Sequence, residues 1–259
     1  MFMKMTMNST HKNNFAVLRG KRFFAQGKID FAMKKFASDI ADVEAQLYMG
    51  RCYEEDSPFR HYPSALLWYL NVAYCNTLNE QTMPIVAEAM YRLGRCHEMG
   101  IGVPANEDEA ISWYAKASEY GSVRAARTIM LKAGECNPAY RIQLARLFEK
   151  GYVVKKDCQE AFRILKMTAD EGNLSAINEL ARCYEMGIGV DKDLKEAFRL
   201  YSLAADRGNA AAMINLGFCY KIGRGVEQDI EKARQLYIKA ARNGSDTAKD
   251  LLGVWDENK

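Results

Sequence analysis

The sequence predicts an all-α fold, a right-handed α-solenoid of about six to seven antiparallel helix pairs with a C-terminal capping helix. Three observations lead there. Five segments line up on one pattern: GRCYEED from Gly50, GRCHEMG from Gly94, ARLFEKG from Ala145, ARCYEMG from Ala181 and GFCYKIG from Gly217. The last two steps between them are 36 residues each. Two apolar stripes at helical spacing also recur, separated in most units by a glycine-rich break. A single pair of short helices cannot bury both stripes, and stacked neighbours can.

In chain order, residues 1–14 carry no apolar run long enough for a signal or a membrane span and are read as a disordered tail. One solenoid is expected over 15–259, with units near 15–38, 44–78, 88–124, 140–175, 176–211 and 212–247. Residues 125–139 form an insert, because the step from Gly94 to Ala145 is 51 residues, and 248–259 form the cap. The insert is expected to lengthen a helix or bend the array.

Within a unit, the first helix carries small residues and an aromatic at helical spacing, as in Ala89, Leu93, Gly94 and His97 or Ala212, Leu216, Gly217 and Tyr220. Small residues allow a neighbouring helix to approach closely. Gly-x-Gly-Val follows at Gly100–Val103, Gly187–Val190 and Gly223–Val226, its first glycine suited to a left-handed helix stop. Acidic residues Asp108, Asp157, Asp193 and Asp229 then open the second helix at its positive end. That helix shows stripes such as Ala197, Leu200, Tyr201 and Ala204, and Gly121, Gly172, Gly208 and Gly244 end it. Two units depart: Asp56-Ser57-Pro58 replaces the glycine loop in one, and Val153 replaces the second glycine in another.

Composition narrows the function. With 36 basic and 33 acidic residues the net charge is only +3, so nucleic acid is not expected as the main ligand. Seven cysteines contain no CxxC pair, and the three histidines are far apart, which gives no zinc-ligand spacing. Reduced thiols in a cytoplasmic protein, without cofactor or metal, are the simplest reading. Cys52, Cys96, Cys183 and Cys219 share one column and read as small buried fillers. His97 belongs to an aromatic column with Tyr53, Phe148, Tyr184 and Tyr220 and reads as packing. The glycine loops lack the strand before them that a phosphate-binding fingerprint requires.

The composite pattern A-x3-L-G-x2-Y-x2-G-x-G-V, followed by D-x3-A and a closing A-A-x2-G, resembles the Sel1-like repeat family, relatives of the tetratricopeptide repeats. It is clearest over 140–209 and 212–248 and strong over 89–125, while residues 15–37 look more like a tetratricopeptide unit. The resemblance implies a non-catalytic scaffold or adaptor that holds a protein or peptide in a concave groove. A bacterial adaptor or immunity-type protein that captures an effector or toxin is the sharper form of that expectation. The alternative is an enzyme of the β-lactam-hydrolysing kind linked to some secreted members, against which stands the lack of a clustered base.

By the same resemblance, two columns of the first helix face the groove: Arg51, Arg95, Arg146 and Arg182, with Glu54, Glu98, Glu149 and Glu185 three residues on. Tyr91 and Asn178 join that face, and Phe218 and Lys221 replace the pair in the last full unit. Arginine forks suit peptide carboxylates. Each Arg could equally pair with its own Glu or with that of the next repeat, for about 0.3–0.5 kcal/mol per surface pair. No membrane contact is expected, and Leu251, Leu252 and Trp255 would cover the last unit or, if exposed, support a weak dimer through that end.

Overall fold

The computed structural model describes residues 6–76 and 78–257, and the side chains of 15–76 and 78–253. Among the described residues every regular element is a helix, fourteen in all. They fall into two compact units, Met1–Ile129 and Met130–Lys259.

The first unit holds three helix pairs: α1 (Thr6–Ala25) with α2 (Ile29–Ala37), α3 (Val43–Glu54) with α4 (Tyr62–Ala73), and α5 (Met83–Met99) with α6 (Glu107–Glu119). Helix α7 (Val123–Gly134) begins in this unit. The second unit holds α8 (Pro138–Lys150) with α9 (Cys158–Asp170), α10 (Leu174–Met186) with α11 (Leu194–Asp206), and α12 (Ala210–Ile222) with α13 (Ile230–Arg242). Helix α14 (Asp246–Glu257) follows and packs on α13. Short connections fold each second (B) helix back against its first (A) helix, and the pairs are the tightest packing partners in both units. Six pairs and two single helices are therefore present among the described residues.

The α3–α4, α5–α6 and α12–α13 pairs close through a glycine and a ring. An added Cβ at Gly50, Gly94 or Gly217 would fall 2.5–2.6 Å from a ring carbon of Tyr69, Tyr114 or Tyr237. These tyrosines from the B helices are almost wholly buried. In these three pairs the glycine on the A helix is therefore the space into which the ring settles.

The loop between A and B helices is specified in two places. Its first glycine caps the A helix in the left-handed region at Gly100, Gly151, Gly187 and Gly223, each amide donating to a carbonyl of the last turn. Its second glycine meets the preceding pair. A Cβ on Gly189 would stand 1.9 Å from the carbonyl oxygen of Cys158, first residue of α9, and one on Gly225 2.1 Å from that of Leu194, first residue of α11. Gly102 meets Tyr62, first residue of α4, in the same way. Val153 at this position is explained by chain order. Helix α7 leads into α8 with no B helix of its own, so the helix start that would exclude a side chain is missing from the repeat before it.

Several expectations change here. Helix α1 starts at Thr6, so the segment read as a tail is helical from that residue, and residues 1–5 lie outside the described residues. The insert is a separate helix. It opens as α10, α12 and α14 do, after a left-handed glycine (Gly121, φ 90°), and the next residue caps it, the Ser122 hydroxyl accepting from the Ala125 amide. Asn106, not Asp108, caps α6 by accepting from the Glu109 amide; it occupies the position that Asp157, Asp193 and Asp229 occupy as caps of α9, α11 and α13. In the α3–α4 unit, where the glycine loop is lost, the His61 amide still donates to the Tyr53 carbonyl, as the Asp193 amide does to Tyr184. In α14, Leu251 and Leu252 are half-buried, and the Trp255 side chain lies outside the described residues.

Candidate functional site

The glutamates three residues after the arginine column are held in place by two partners. From within the pair, the B-helix tyrosine donates to the A-helix carboxylate: Tyr69 to Glu54 and Tyr114 to Glu98, both at 2.6 Å, and Tyr201 to Glu185 at 2.8 Å. From the next repeat an arginine arrives: Arg92 reaches Glu54 at 2.6 Å and Arg224 reaches Glu185 at 2.5 Å. The α8–α9 pair has Leu165 where the others have tyrosine, and there Arg182 grips Glu149 with both terminal nitrogens at 3.1 and 2.5 Å. The column thus stitches consecutive repeats through half-buried, charge-assisted hydrogen bonds.

The electrostatics agree. Burial works to raise the Glu149 carboxyl, but the hydrogen bonds and charge of Arg182 outweigh it and hold the group below the usual carboxylate range. Burial, and then the hydrogen bond to Glu185, push the Tyr201 hydroxyl well above its ordinary value. Burial also pushes the column thiols up, Cys52 and Cys183 to about 12 and Cys96 and Cys219 to about 11, as small apolar fillers should behave.

In the second unit this stitching occupies most of the predicted residues. Arg146 pairs with Glu179 at 2.9 Å, and Arg182 bridges Glu149 and Glu179. Asn178 is buried and accepts from the Asn215 amide at 2.8 Å, a rung between α10 and α12. Phe218 is 44% exposed, with the Arg224 guanidinium over its ring at 5.6 Å. The Lys221 carbonyl accepts from Gln228.

In the first unit Tyr91 packs its ring near Tyr114, and Arg95 lies beside Met99, 3.9 Å from Glu54. Arg51 differs. Its guanidinium carbon stands 4.6 Å from the ring centres of both Phe24 and Tyr48, which meet edge to face. Its Nε is buried and has no hydrogen-bond acceptor among the described residues.

Arg51 lines a groove of about 330 Å³ across three successive A helices, with Glu44, Leu47 and Tyr48 of α3, Pro84, Ile85, Glu88 and Arg92 of α5, and Arg124 of α7. Of the predicted site residues the structure brings only Arg51 into this groove. Apart from Arg124, the rest of the lining lies N-terminal of the predicted arginine column, since residues 44, 47 and 48 precede Arg51 on α3, and 84, 85, 88 and 92 precede Arg95 on α5. The apolar spacing of α5 offered a signal, because Pro84 and Ile85 sit outside its core stripe. Arg124 could not be found by pattern, because α7 is absent from the repeat alignment.

Among the described residues no helix is long and apolar enough to cross a membrane, and no three His, Cys, Asp or Glu side chains gather as a metal set.

Comparison with known proteins agrees with the geometry. The Sel1 repeat family model matches residues 43–70, 87–122, 139–173, 174–209 and 210–245. No curated protein matches the sequence. Among solved structures, a Sel1 repeat protein from Oxalobacter formigenes is 29% identical, over 92% of this chain and 89% of that one, with a TM-score of 0.45. A protective antigen of uropathogenic Escherichia coli strains with an SLR fold is 21% identical over 96% of this chain and 58% of its own, with a TM-score of 0.43. Helicobacter pylori cysteine rich protein B is 23% identical over 56% of this chain and 95% of its own, with a TM-score of 0.36.

Proposed function

The chain belongs to the Sel1 repeat family, and on that premise we propose that it is a non-catalytic scaffold that holds a segment of a partner protein in the groove between α3, α5 and α7. One observation carries the reading. Along the second unit the polar face of the A helices is spent on joining repeat to repeat, whereas the groove of the first unit retains apolar wall and an arginine Nε without an acceptor. A volume of about 330 Å³ accommodates a few side chains of an extended segment, at the small end of ligand-sized clefts. All seven cysteines are unpaired, which supports a reducing, cytoplasmic setting.

The test begins with the tagged full chain expressed in its source cells. Partners that co-purify are identified by mass spectrometry, produced pure and titrated by calorimetry against wild type and Ile85→Trp. Ile85 is half-buried on the groove wall, so an indole there fills the space. Loss of binding of tenfold or more (about 1.4 kcal/mol) with an unchanged melting temperature supports the assignment. Unchanged affinity moves the partner site elsewhere.

A further inference from the structure

The charges around this groove do not balance. Four cations, Lys21, Arg51, Arg92 and Arg124, face three carboxylates, Glu44, Glu54 and Glu88. Lys21 pairs with Glu44. Arg92 is held by Glu54 at 2.6 Å and Glu88 at 2.9 Å, and Arg124 touches Glu88 at 3.4 Å. Arg51 is left without a carboxylate among the described residues, and its buried Nε has no acceptor. An unsatisfied buried N–H of a charged group is costly, and native structures rarely retain one without a role.

The surroundings of Arg51 prepare it for an anion. Phe24 and Tyr48, whose ring centres both stand 4.6 Å from the guanidinium carbon, hold the charged group by cation–π contact. A ring face attracts the positive charge without replacing an oxygen acceptor, so the N–H donors of Arg51 still call for one. Leu47, Pro84 and Ile85 line the same groove as Arg51 and suit an apolar residue next to the acceptor. A planar, two-oxygen acceptor on an otherwise apolar chain fits both features, because the paired oxygens match the fork and the neighbouring side chains match the wall.

We propose that Arg51 is the specificity residue of this groove and that it selects a peptide carboxylate, either a Glu or Asp side chain or a chain terminus, flanked by apolar residues. The inference rests on the groove being the partner site.

The experiment observes Arg51 directly. Full-length protein labelled with ¹⁵N-arginine is followed through its Nε–H resonances, that of Arg51 being identified as the one lost in Arg51→Lys. Three N-acetylated peptides are titrated: acetyl-Leu-Pro-Leu-Glu-Leu-amide, its Gln twin, and acetyl-Leu-Pro-Leu-Gln-Leu with a free terminal carboxylate. A saturable shift of the Arg51 resonance with the first or third peptide is expected, with binding about ten- to a hundredfold weaker for the Gln twin. Which of the two carboxylate peptides wins identifies the source. Equal binding of the Glu and Gln peptides, or no shift of Arg51 with either carboxylate peptide, overturns the proposal.

The titrations are made on unaltered protein, and Arg51→Lys, which keeps the charge, serves only to assign the resonance. The purified partner then separates the two readings. If Ile85→Trp abolishes its binding while Arg51→Met leaves it intact, the groove stands and carboxylate selection falls. If both variants bind normally, the groove itself is not the partner site and both readings fall.

Discussion

Replacing Gly189 by alanine measures what joins one repeat to the next. Gly189 has φ near +70°, so an alanine there adopts a left-handed backbone at about 1–2 kcal/mol. Its Cβ would also stand 1.9 Å from the Cys158 carbonyl oxygen, an overlap of more than an ångström relative to ordinary contact. Neither group can swing away, since the carbonyl belongs to the first turn of α9 and the Cβ to a closed loop, so the two pairs must separate. Such overpacking costs about 1–3 kcal/mol. Gly208 supplies the control. It also has positive φ, +98°, but nothing lies within 4 Å of its Cβ position, so Gly208→Ala carries the backbone cost alone. Both residues lie in the second unit, and the same urea transition, followed by helical circular dichroism, reads both. Gly189→Ala is expected to lose about 1–3 kcal/mol more than Gly208→Ala. Equal losses would show that the second glycine serves only loop conformation and that the close approach between pairs is not what selects it.

Acid provides a second test. Glu149 has a folded carboxyl held below its unfolded value by Arg182, so its contribution is fully present above the unfolded pKa and is lost as pH falls through the lower folded one. Stability should therefore decline on acidification below the ordinary carboxylate range, and Glu149→Gln should flatten that part of the urea-midpoint profile; an identical profile would dismiss the pair. Tyr201→Phe removes one hydrogen bond to a charged acceptor, and a loss of about 1.5–3 kcal/mol in chemical denaturation is expected, with no change near zero compatible with the Tyr201–Glu185 link. A thiol-reactive dye at mildly alkaline pH should label exposed Cys136 first and leave Cys52, Cys96, Cys183 and Cys219 unlabelled until unfolding, whereas prompt labelling of those four would contradict their burial.

Much of the fold was legible because repetition magnifies weak signals. The glycine stops, the capping Asp157, Asp193 and Asp229, and the small-residue positions facing Tyr114 and Tyr237 each answer a local geometric demand, and the same demand is met several times along the chain. The α7 segment escaped because a lone A helix without its B partner shows only half of the pattern, and Asp108 was mistaken for a cap that Asn106 supplies two residues earlier.

The site was less legible. The arginine and glutamate columns were visible as columns, but whether Glu54 meets Arg92, Glu185 meets Arg224 and Glu149 meets Arg182 depends on which side chains consecutive helices bring within reach. Pattern fixes the face of a helix on which a residue lies, through the 3.6-residue period. It carries no information about which charge of the neighbouring helix stands opposite, since that follows from the offset between helices far apart in sequence. The helix pairs, their caps and their buried stripes were thus determined by the sequence alone, because each is a property of contiguous residues. Only the tertiary structure decided that most of the ladder joins repeat to repeat and that Arg51, against Phe24 and Tyr48, is left to face the groove.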